Sequence, residues 1–308
     1  MTRDTFQLSS ARFRVGLGVV AIGFALGYAR GASACASCGC GDPTLTSLGA
    51  EKPFRNRLRL SLDGRYRTDK IGQFGVDQIA LNEWRLDGQV AWAPHERLFL
   101  VGTVPLLART VSYVNGGEIK TTGIGDIELR AKAFVFQDRV MFPQHLLAVH
   151  AGIKIPTAPM QHGPDGSKLP IEVQPGTGSW DPLVGVSYAF FTRPWSFYTS
   201  ASAAVPLRGT DEFRASRSLR LAASVQRQFI PQLALRLGAD VRIDGKSYED
   251  GAPERDSGGA IAFASPELLI SPITDLIFVL SVRVPVVQAL NGYHREGPIL
   301  GFAIAYDL

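Results

Sequence analysis

The feature that most constrains the fold of this chain is a series of segments, each about ten residues long, in which apolar and polar residues alternate. In the segment from Arg57 to Arg67, leucine, glycine and tyrosine occupy the even-numbered positions, and arginine, serine and aspartate occupy the odd-numbered ones. Because successive side chains of a β-strand point to opposite faces of the sheet, this pattern predicts strands with one apolar face and one charged face.

The same alternation recurs along the chain, and the connections between segments are in turn long and short. Transmembrane β-barrels have this rhythm, with long extracellular loops and short periplasmic turns. We therefore predict an all-β fold, an antiparallel transmembrane β-barrel of about twelve strands within residues 55–308, in which residues 111–125 form one of the long connections. The predicted strands cover residues 57–67, 82–92, 98–110, 126–136, 145–156, 183–191, 195–207, 219–228, 233–244, 259–270, 276–286 and 299–307.

A secreted, soluble β-sandwich is the alternative fold, because it also consists of strands of this length between turns. The charged face of one strand does not distinguish the two folds, since in a sandwich that face would lie in solvent. The alternation of long and short connections favours the barrel. A closed sheet also meets the requirement that every backbone N–H and C=O in hydrocarbon be paired, because it has no edge.

Residues 1–34 have the three parts of a secretory signal peptide: a basic start, an apolar stretch from Val15 to Tyr28, and the small residues Ala32 to Ala34. We expect cleavage before Cys35, which makes residues 35–54 a periplasmic N-terminal segment. No later stretch of about 18 uncharged apolar residues would form a spanning helix. Export together with a barrel fold predicts location in the bacterial outer membrane.

The basic character of the whole chain comes from this leader. Removing residues 1–34 takes four arginines and one aspartate from the 32 basic and 28 acidic residues, which leaves 28 against 27. A strongly basic protein would have suggested a nucleic-acid partner. The near-neutral mature chain argues against one, and we expect membrane lipid and a small-molecule solute as the partners.

The charged faces of the predicted strands are expected to line the lumen. They carry both signs of charge, with cations in excess, which predicts a mild preference for anions because the lining charges set the selectivity of a pore. The predicted lumen-lining residues are Arg59, Arg65, Arg85, Asp87, Glu128, Arg130, Lys132, His150, Lys154, Arg236, Asp240 and Arg242.

Three cysteines, Cys35, Cys38 and Cys40, follow the predicted cleavage site directly. Three thiolates suit Cu(I) or Zn(II), which makes them the candidate metal ligands, although a closed zinc site needs a fourth ligand. A disulfide with one thiol left over and lipid attachment at Cys35 remain alternatives. No resident cofactor is expected otherwise.

Three short motifs occur in order along the chain: Gly123-Ile124-Gly125-Asp126-Ile127, residues 152–157 (GIKIPT), and residues 174–181 (QPGTGSWD). With them, residues 55–308 resemble the outer-membrane family named after the meta-pathway of phenol degradation. The resemblance implies a bacterial outer-membrane barrel that passes hydrophobic or aromatic compounds. Many outer-membrane barrels end in an aromatic residue, whereas this sequence ends in Leu308.

These observations predict an outer-membrane channel for small solutes. The long connection from Thr157 to Asp181 is the candidate constriction or lid, with an ordinary flexible surface loop as the alternative. No serine-hydrolase pattern accompanies the five histidines, so we do not expect an enzyme. The alternative function is a periplasmic metal-binding or redox-linked protein that acts through the cysteines and uses the barrel as an anchor.

The cysteine motif generates a direct prediction. We expect the reduced mature protein to bind Cu(I) or Zn(II) more weakly as the pH falls, because thiolates must lose their protons to become ligands. Cys38→Ser is expected to weaken this binding. The mass of the protein isolated from the outer membrane tests the hypothesis, and a Cys–Cys bridge without metal, or a diacylglyceryl adduct on Cys35, would contradict it.

Overall fold

The computed structural model describes residues 58–139 and 143–308. Almost all of this part of the chain is β-strand. The strands are β1 (Leu58–Ile71), β2 (Ile79–His95), β3 (Leu98–Tyr113), β4 (Glu118–Ile124), β5 (Ile127–Gln137), β6 (His145–Ile155), β7 (Asp181–Thr192), β8 (Trp195–Ala204), β9 (Ser218–Ile230), β10 (Leu233–Asp244), β11 (Tyr248–Glu249), β12 (Ala252–Pro253), β13 (Gly259–Ile273), β14 (Leu276–Leu290), β15 (Arg295–Glu296) and β16 (Ile299–Asp307). Two 3-10 helices, Ile171–Val173 and Thr210–Glu212, lie in loops.

Each long strand pairs antiparallel with its neighbours, and the sheet closes on itself where β1 pairs with both β2 and β16. The closure is completed by two backbone hydrogen bonds between Leu58 and Leu308, at 2.7 and 3.3 Å. With β4 and β5 sharing one position in the wall, and β15 and β16 another, the barrel has twelve strands. The predicted fold class and strand number are confirmed.

The prediction that residues 111–125 form a long connection is wrong. Residues 118–124 are strand β4, which pairs with the second half of β3, from Leu106 to Ser112. β5 then pairs with the first half of β3, from Leu98 to Thr103. The segment is rich in glycine and threonine and resembles a loop in sequence, but its alternating Ile119 and Thr121 side chains fit the pleat of the neighbouring strand.

The wall strand formed by β4 and β5 is broken by a bulge. Between the two paired stretches, Val104 and Pro105 of β3 face the three residues Gly125 to Ile127. Pro105 has no N–H to donate to the ladder, and its carbonyl accepts a hydrogen bond from the Gly125 N–H at 2.8 Å. The extra residue reverses which positions face inward, as a β-bulge does, and it turns the Asp126 side chain into the barrel.

The outer surface of the wall is apolar and its inner surface is polar. Outward leucines such as Leu62 (47% exposed) and Leu237 (54% exposed) have no protein covering them, whereas their neighbours Ser61 and Arg236 are buried. This arrangement inverts that of a soluble protein, and it suits a wall surrounded by hydrocarbon. No helix within residues 58–139 and 143–308 has the length and apolar character needed to cross a bilayer.

The connections differ between the two ends of the barrel. At one end, here called the short-turn end, the pairs β2–β3, β7–β8, β9–β10 and β13–β14 are joined by two residues each. At the other, the long-loop end, β6 and β7 are joined by residues 156–180, and β8 and β9 by residues 205–217. Of the described strands, β1 begins and β16 ends at the short-turn end.

Three connections at the long-loop end are tied together by polar contacts. The Arg255 guanidinium donates to the Asp77 carboxylate at 2.8 Å and pairs with Asp256 at 2.6 Å, and Asp256 accepts a hydrogen bond from the Tyr293 N–H at 2.9 Å. A hydrogen bond from the Gln73 N–H at 2.6 Å, together with the Arg255 contact, holds the pKa of the Asp77 carboxyl group below its usual range. The Arg255 contact does the same for the pKa of Asp256, since hydrogen bonds to the charged form favour it. Side-chain contacts therefore connect three loops of the rim.

The orientation of the wall predicts a depth-dependent cost of charge on its outer face. Leu237→Arg, near the middle of β10, is expected to destabilise the barrel in a bilayer by about 2–4 kcal/mol, and Leu233→Arg, at the short-turn end of the same face, by about 1 kcal/mol or less. Reversible unfolding titrations of the two variants in lipid measure the difference. Equal costs would contradict the assignment of this face to lipid.

Candidate functional site

All twelve sequence-predicted lumen residues lie on the inner face of the wall. Their strands alternate as the sequence indicates, so charged side chains inside the barrel oppose apolar side chains outside. They fall into two levels. Arg59, Lys132, His150 and Arg236 lie toward the short-turn end and are buried, whereas Arg65, Arg85, Arg130, Lys154 and Arg242 lie toward the long-loop end.

Most of the inward cations are ion-paired with carboxylates on neighbouring strands. Arg59 makes two contacts with its cross-strand partner Asp307, at 2.6 and 2.7 Å. Arg236 pairs with its own cross-strand partner Glu267 at 2.6 Å. A buried charge is costly without such a partner, so the wall places acids and bases opposite one another.

The pairing continues nearer the long-loop end. Asp87 accepts from Arg85 at 2.7 Å and also pairs with Arg65. Glu128 pairs with Arg130, and Arg242 pairs with Asp244 at 2.6 Å and with Glu296. Asp240, the third predicted acid, accepts a hydrogen bond from Ser265. The anion preference was predicted from an excess of inward positive charge. Because most of these cations are paired with carboxylates, less of that positive charge is free than the sequence indicated.

An apolar cluster occupies one side of the lumen at the short-turn end, a feature that sequence reasoning missed. Phe99 and Phe134 meet edge to face with ring centroids 5.9 Å apart, and Tyr198 packs against Phe191 at 5.9 Å. The Lys132 ammonium lies 5.4 Å from the centre of the Phe134 ring. The buried members are Ala93, Phe99, Phe134, Leu146, Ala148, Ala189 and Tyr198.

The cluster leaves little room. The cavity beside Phe134, Leu146 and Tyr198 measures about 10 Å³, which is at the lower limit of the space that one water molecule occupies. This side of the lumen is therefore closed by side chains. The signal in the sequence was the mostly apolar strand β3, whose Phe99 and Val101 are buried on the inner face beside Ala91 and Ala93 of β2.

Residues 156–180, here called the inner loop, fold onto the inner face of the wall. The Arg109 guanidinium donates to the carbonyl of Gln174, and the Thr121 hydroxyl donates to the carbonyl of Val173 at 2.7 Å. Arg109 and Thr121 face each other on adjacent strands and point inward. The inner loop therefore lies on the lumen side of the barrel, which excludes the alternative of an ordinary flexible surface loop.

Asp126, at the bulge, is the central anchor of the inner loop. Its carboxylate accepts hydrogen bonds from the N–H groups of Ala158 and Thr177, both at 3.1 Å. The Lys154 ammonium lies 3.4 Å from the same carboxylate, donates to the Thr177 hydroxyl at 2.5 Å, and pairs with Asp181 at 2.5 Å. One lysine and two aspartates thus clamp both ends of the inner loop.

Two glycines permit this close approach. A Cβ on Gly176 would lie 2.4 Å from the Asp126 carboxylate and 2.5 Å from the Ala158 Cβ, and one on Gly125 would lie 2.5 Å from the Leu107 side chain. A side chain at either position would therefore require its neighbours to shift. The three sequence motifs, distant along the chain, therefore meet at one place in the fold.

The inner loop has its own internal order around Gln174. This buried side chain accepts from the Gln161 N–H at 2.8 Å and donates to the carbonyls of Gln161 at 3.0 Å and Leu169 at 2.8 Å. Its three hydrogen bonds fasten residues 161–169 to residues 171–174. The inner loop is thus a folded unit, and it narrows the lumen at the long-loop end.

A cavity of about 190 Å³, here called the upper cavity, lies in the lumen between β5 and β9. Its walls bring together three of the predicted residues, Glu128, Arg130 and Lys154, with Asp181 and Arg220. Sequence reasoning did not select Arg220, although it lies between Leu219 and Leu221 on an alternating strand and its inward orientation was readable from that pattern.

The candidate metal ligands Cys35, Cys38 and Cys40, the predicted signal peptide and the periplasmic segment lie outside the described residues.

Within the described part, Asp69, His294 and Glu296 place three ligand atoms within 4.8 Å of one another. Arg67 already pairs with Asp69 at 3.1 Å, and Arg242 pairs with Glu296. The group is therefore better described as part of an ion-pair network at the rim.

No family model matches the chain, and no curated protein matches its sequence. Among solved structures, the fold is similar to that of an outer membrane channel from Pseudomonas putida F1, with a TM-score of 0.64 and 14% identity over 83% of this chain and 96% of that one. The translocator domain of the autotransporter NalP from Neisseria meningitidis gives a TM-score of 0.48 and 9% identity, over 81% of this chain and 88% of that one. A deltaS2S3 mutant of the monoaromatic hydrocarbon channel TodX gives a TM-score of 0.47 and 10% identity, over 83% of this chain and 90% of that one. The first of these similarities establishes that the chain has the fold of an outer-membrane β-barrel.

The anchoring of the inner loop predicts its release when Asp126 is removed. Asp126→Ala loses two hydrogen bonds to a charged acceptor, each worth about 1.5–3 kcal/mol. We expect trypsin to cleave after Lys168, within the inner loop, at least tenfold faster in this variant. Asp165→Ala is the control, because that exposed carboxylate bonds only Ser167 within the described residues. Equal cleavage rates in the two variants would show that Asp126 does not hold the inner loop.

Proposed function

We propose that the protein is a narrow channel of the bacterial outer membrane that passes small solutes, including hydrophobic or aromatic compounds. The observation that carries the proposal is a closed barrel with an apolar exterior and a charged interior, whose lumen is narrowed by its own inner loop. A barrel of twelve strands lies between small barrels filled by side chains and wide porins with open aqueous channels.

The polar wall supports passage through the lumen. Its charges lie inside a barrel whose outer face suits lipid, and the upper cavity shows that the long-loop end holds open space lined by charged groups. A barrel that served only as an anchor would not need this lining, since apolar side chains would fill it at lower cost. Selectivity then depends on the width and the charge of the lining.

The apolar cluster supports the hydrophobic part of the proposal. Phe99, Phe134 and Tyr198 present aromatic surface inside the barrel, where an aromatic solute would find offset or edge-to-face contacts. The cluster is closed in this structure, so passage on that side requires its side chains to move. The likeness of the three motifs to the phenol meta-pathway family supports the same class of solute.

Channel function is tested by reconstitution of the purified protein into planar bilayers and liposomes. We expect a small unitary conductance and entry of small neutral solutes. Asp126→Ala is expected to give a larger conductance, because release of the inner loop widens the long-loop end, and Asp165→Ala is expected to match the wild type. A folded, inserted protein that passes neither ions nor solutes would contradict the proposal.

A further inference from the structure

Arg220 differs from the other inward cations of the upper cavity in its surroundings. Within residues 58–139 and 143–308, no ion pair or hydrogen bond reaches its guanidinium. Arg130 is paired with Glu128, and Lys154 with Asp126 and Asp181. Arg220 thus presents its five N–H donors to the open space of the lumen.

The wall provides no partner for Arg220. Its cross-strand neighbours are Ser202 on β8 and Arg242 on β10. Like charges directly opposite one another on a sheet are destabilising, and Arg242 already bonds Asp244 and Glu296. The charged groups that act most strongly on Arg220 are Arg242, Asp244, Arg130 and Arg65, of which three are cations.

Arg220 is exposed to the lumen, so its cost to the fold comes from the like charge of Arg242 directly opposite rather than from burial. Unfavourable features of this kind are expected mainly where function requires them. The other cations of the wall show that the sequence supplies carboxylates where they are needed. Of the three cations that line the upper cavity, Arg130 is paired with Glu128 and Lys154 with Asp126 and Asp181, so the unpaired positive charge belongs to Arg220.

The rest of the upper cavity adds hydrogen-bonding groups and apolar surface around this charge. The hydroxyls of Ser202 and Ser218 line it beside Arg220, and Leu183 and Ala204 supply apolar surface. Its volume of about 190 Å³ corresponds to roughly six water molecules at about 30 Å³ each. An organic molecule the size of a single ring has room there.

We propose that the upper cavity is a binding site for a small organic monocarboxylate, whose carboxylate pairs with Arg220 and whose apolar part lies against Leu183 and Ala204. A guanidinium matches a carboxylate through two parallel N–H···O bonds. The single unpaired charge fits a monoanion better than a phosphate dianion. The inference rests on the proposed channel function, because it names the class of solute that the channel would select.

The test measures the binding of benzoate to the purified, folded protein in detergent at low ionic strength by isothermal titration calorimetry. Benzyl alcohol, which has the same ring without the charge, and inorganic phosphate are titrated as comparison ligands. Arg220→Gln removes the charge, and Arg220→Lys keeps it without the planar fork. Arg227→Gln is the matched control, because Arg227 lies on the same strand but on its outer face, near Trp195.

We expect saturable binding of benzoate, weakened at least tenfold by Arg220→Gln, less by Arg220→Lys, and not by Arg227→Gln. Benzyl alcohol and phosphate should each bind at least tenfold more weakly to the wild type, a comparison that needs no variant to fold. Absence of saturable benzoate binding, an unchanged affinity in Arg220→Gln, or equally tight binding of phosphate or benzyl alcohol would overturn the inference.

The result of the benzoate-binding experiment can be distinguished from the result of the channel experiment. Conductance without benzoate binding would refute the site and leave the channel in place. Benzoate binding at Arg220 without conductance or solute entry would refute the channel and show that the barrel binds the anion without passing it.

Discussion

The rest of the structure depends on the pairing of backbone N–H and C=O groups in a wall that faces hydrocarbon. An unpaired backbone group in that environment costs several kcal/mol, so the sheet must close. Here closure joins β1 to β16, the first and last long strands of the described chain, with Leu58 and Leu308 bonded at the end of the seam. No single strand is stable in the wall without both neighbours, which makes the barrel a cooperative unit.

Closure of the sheet separates the lipid outside the barrel from the lumen inside it. This separation explains why the charged side chains lie on the inner face. The inner face of the wall is crowded, so a charge placed there must be paired or hydrated. Buried cross-strand pairs such as Arg59–Asp307 and Arg236–Glu267 satisfy this requirement toward the short-turn end. Nearer the long-loop end the same chemistry serves a second purpose, because Asp126 and Lys154 use their charges to hold the inner loop in the lumen.

The faces of the strands and their number could be predicted from the sequence, because a period of two residues is a local property that survives in each strand. The inward orientation of Arg65, Lys132 and Arg242 follows from it directly. Strand β4 was missed because its glycine and threonine residues resemble a loop, and its pairing with β3 depends on a bulge that no local pattern marks.

The site was predictable only in part, since it depends on contacts between distant residues. The sequence indicated that residues 157–181 form a lid or a surface loop, but the choice between them depends on Asp126 meeting Thr177, 51 positions away. The partners of the inward cations were not predictable for the same reason, because they lie on other strands. The sequence shows an inward arginine, and only the register of neighbouring strands shows that Arg242 has carboxylates and that Arg220 faces a serine and another arginine.

The central claim is that alternate residues of each strand face lipid and lumen, and spin labels placed singly along residues 233–244 test it most directly. After Cys35, Cys38 and Cys40 are replaced by serine, each labelled protein is reconstituted in a bilayer, and its collisions with oxygen and with a water-soluble nickel chelate are measured. We predict a period of two residues, with oxygen maxima at Leu235, Leu237, Ala239 and Val241. A profile without this period, or one with nickel maxima at those four positions, would contradict the transmembrane barrel.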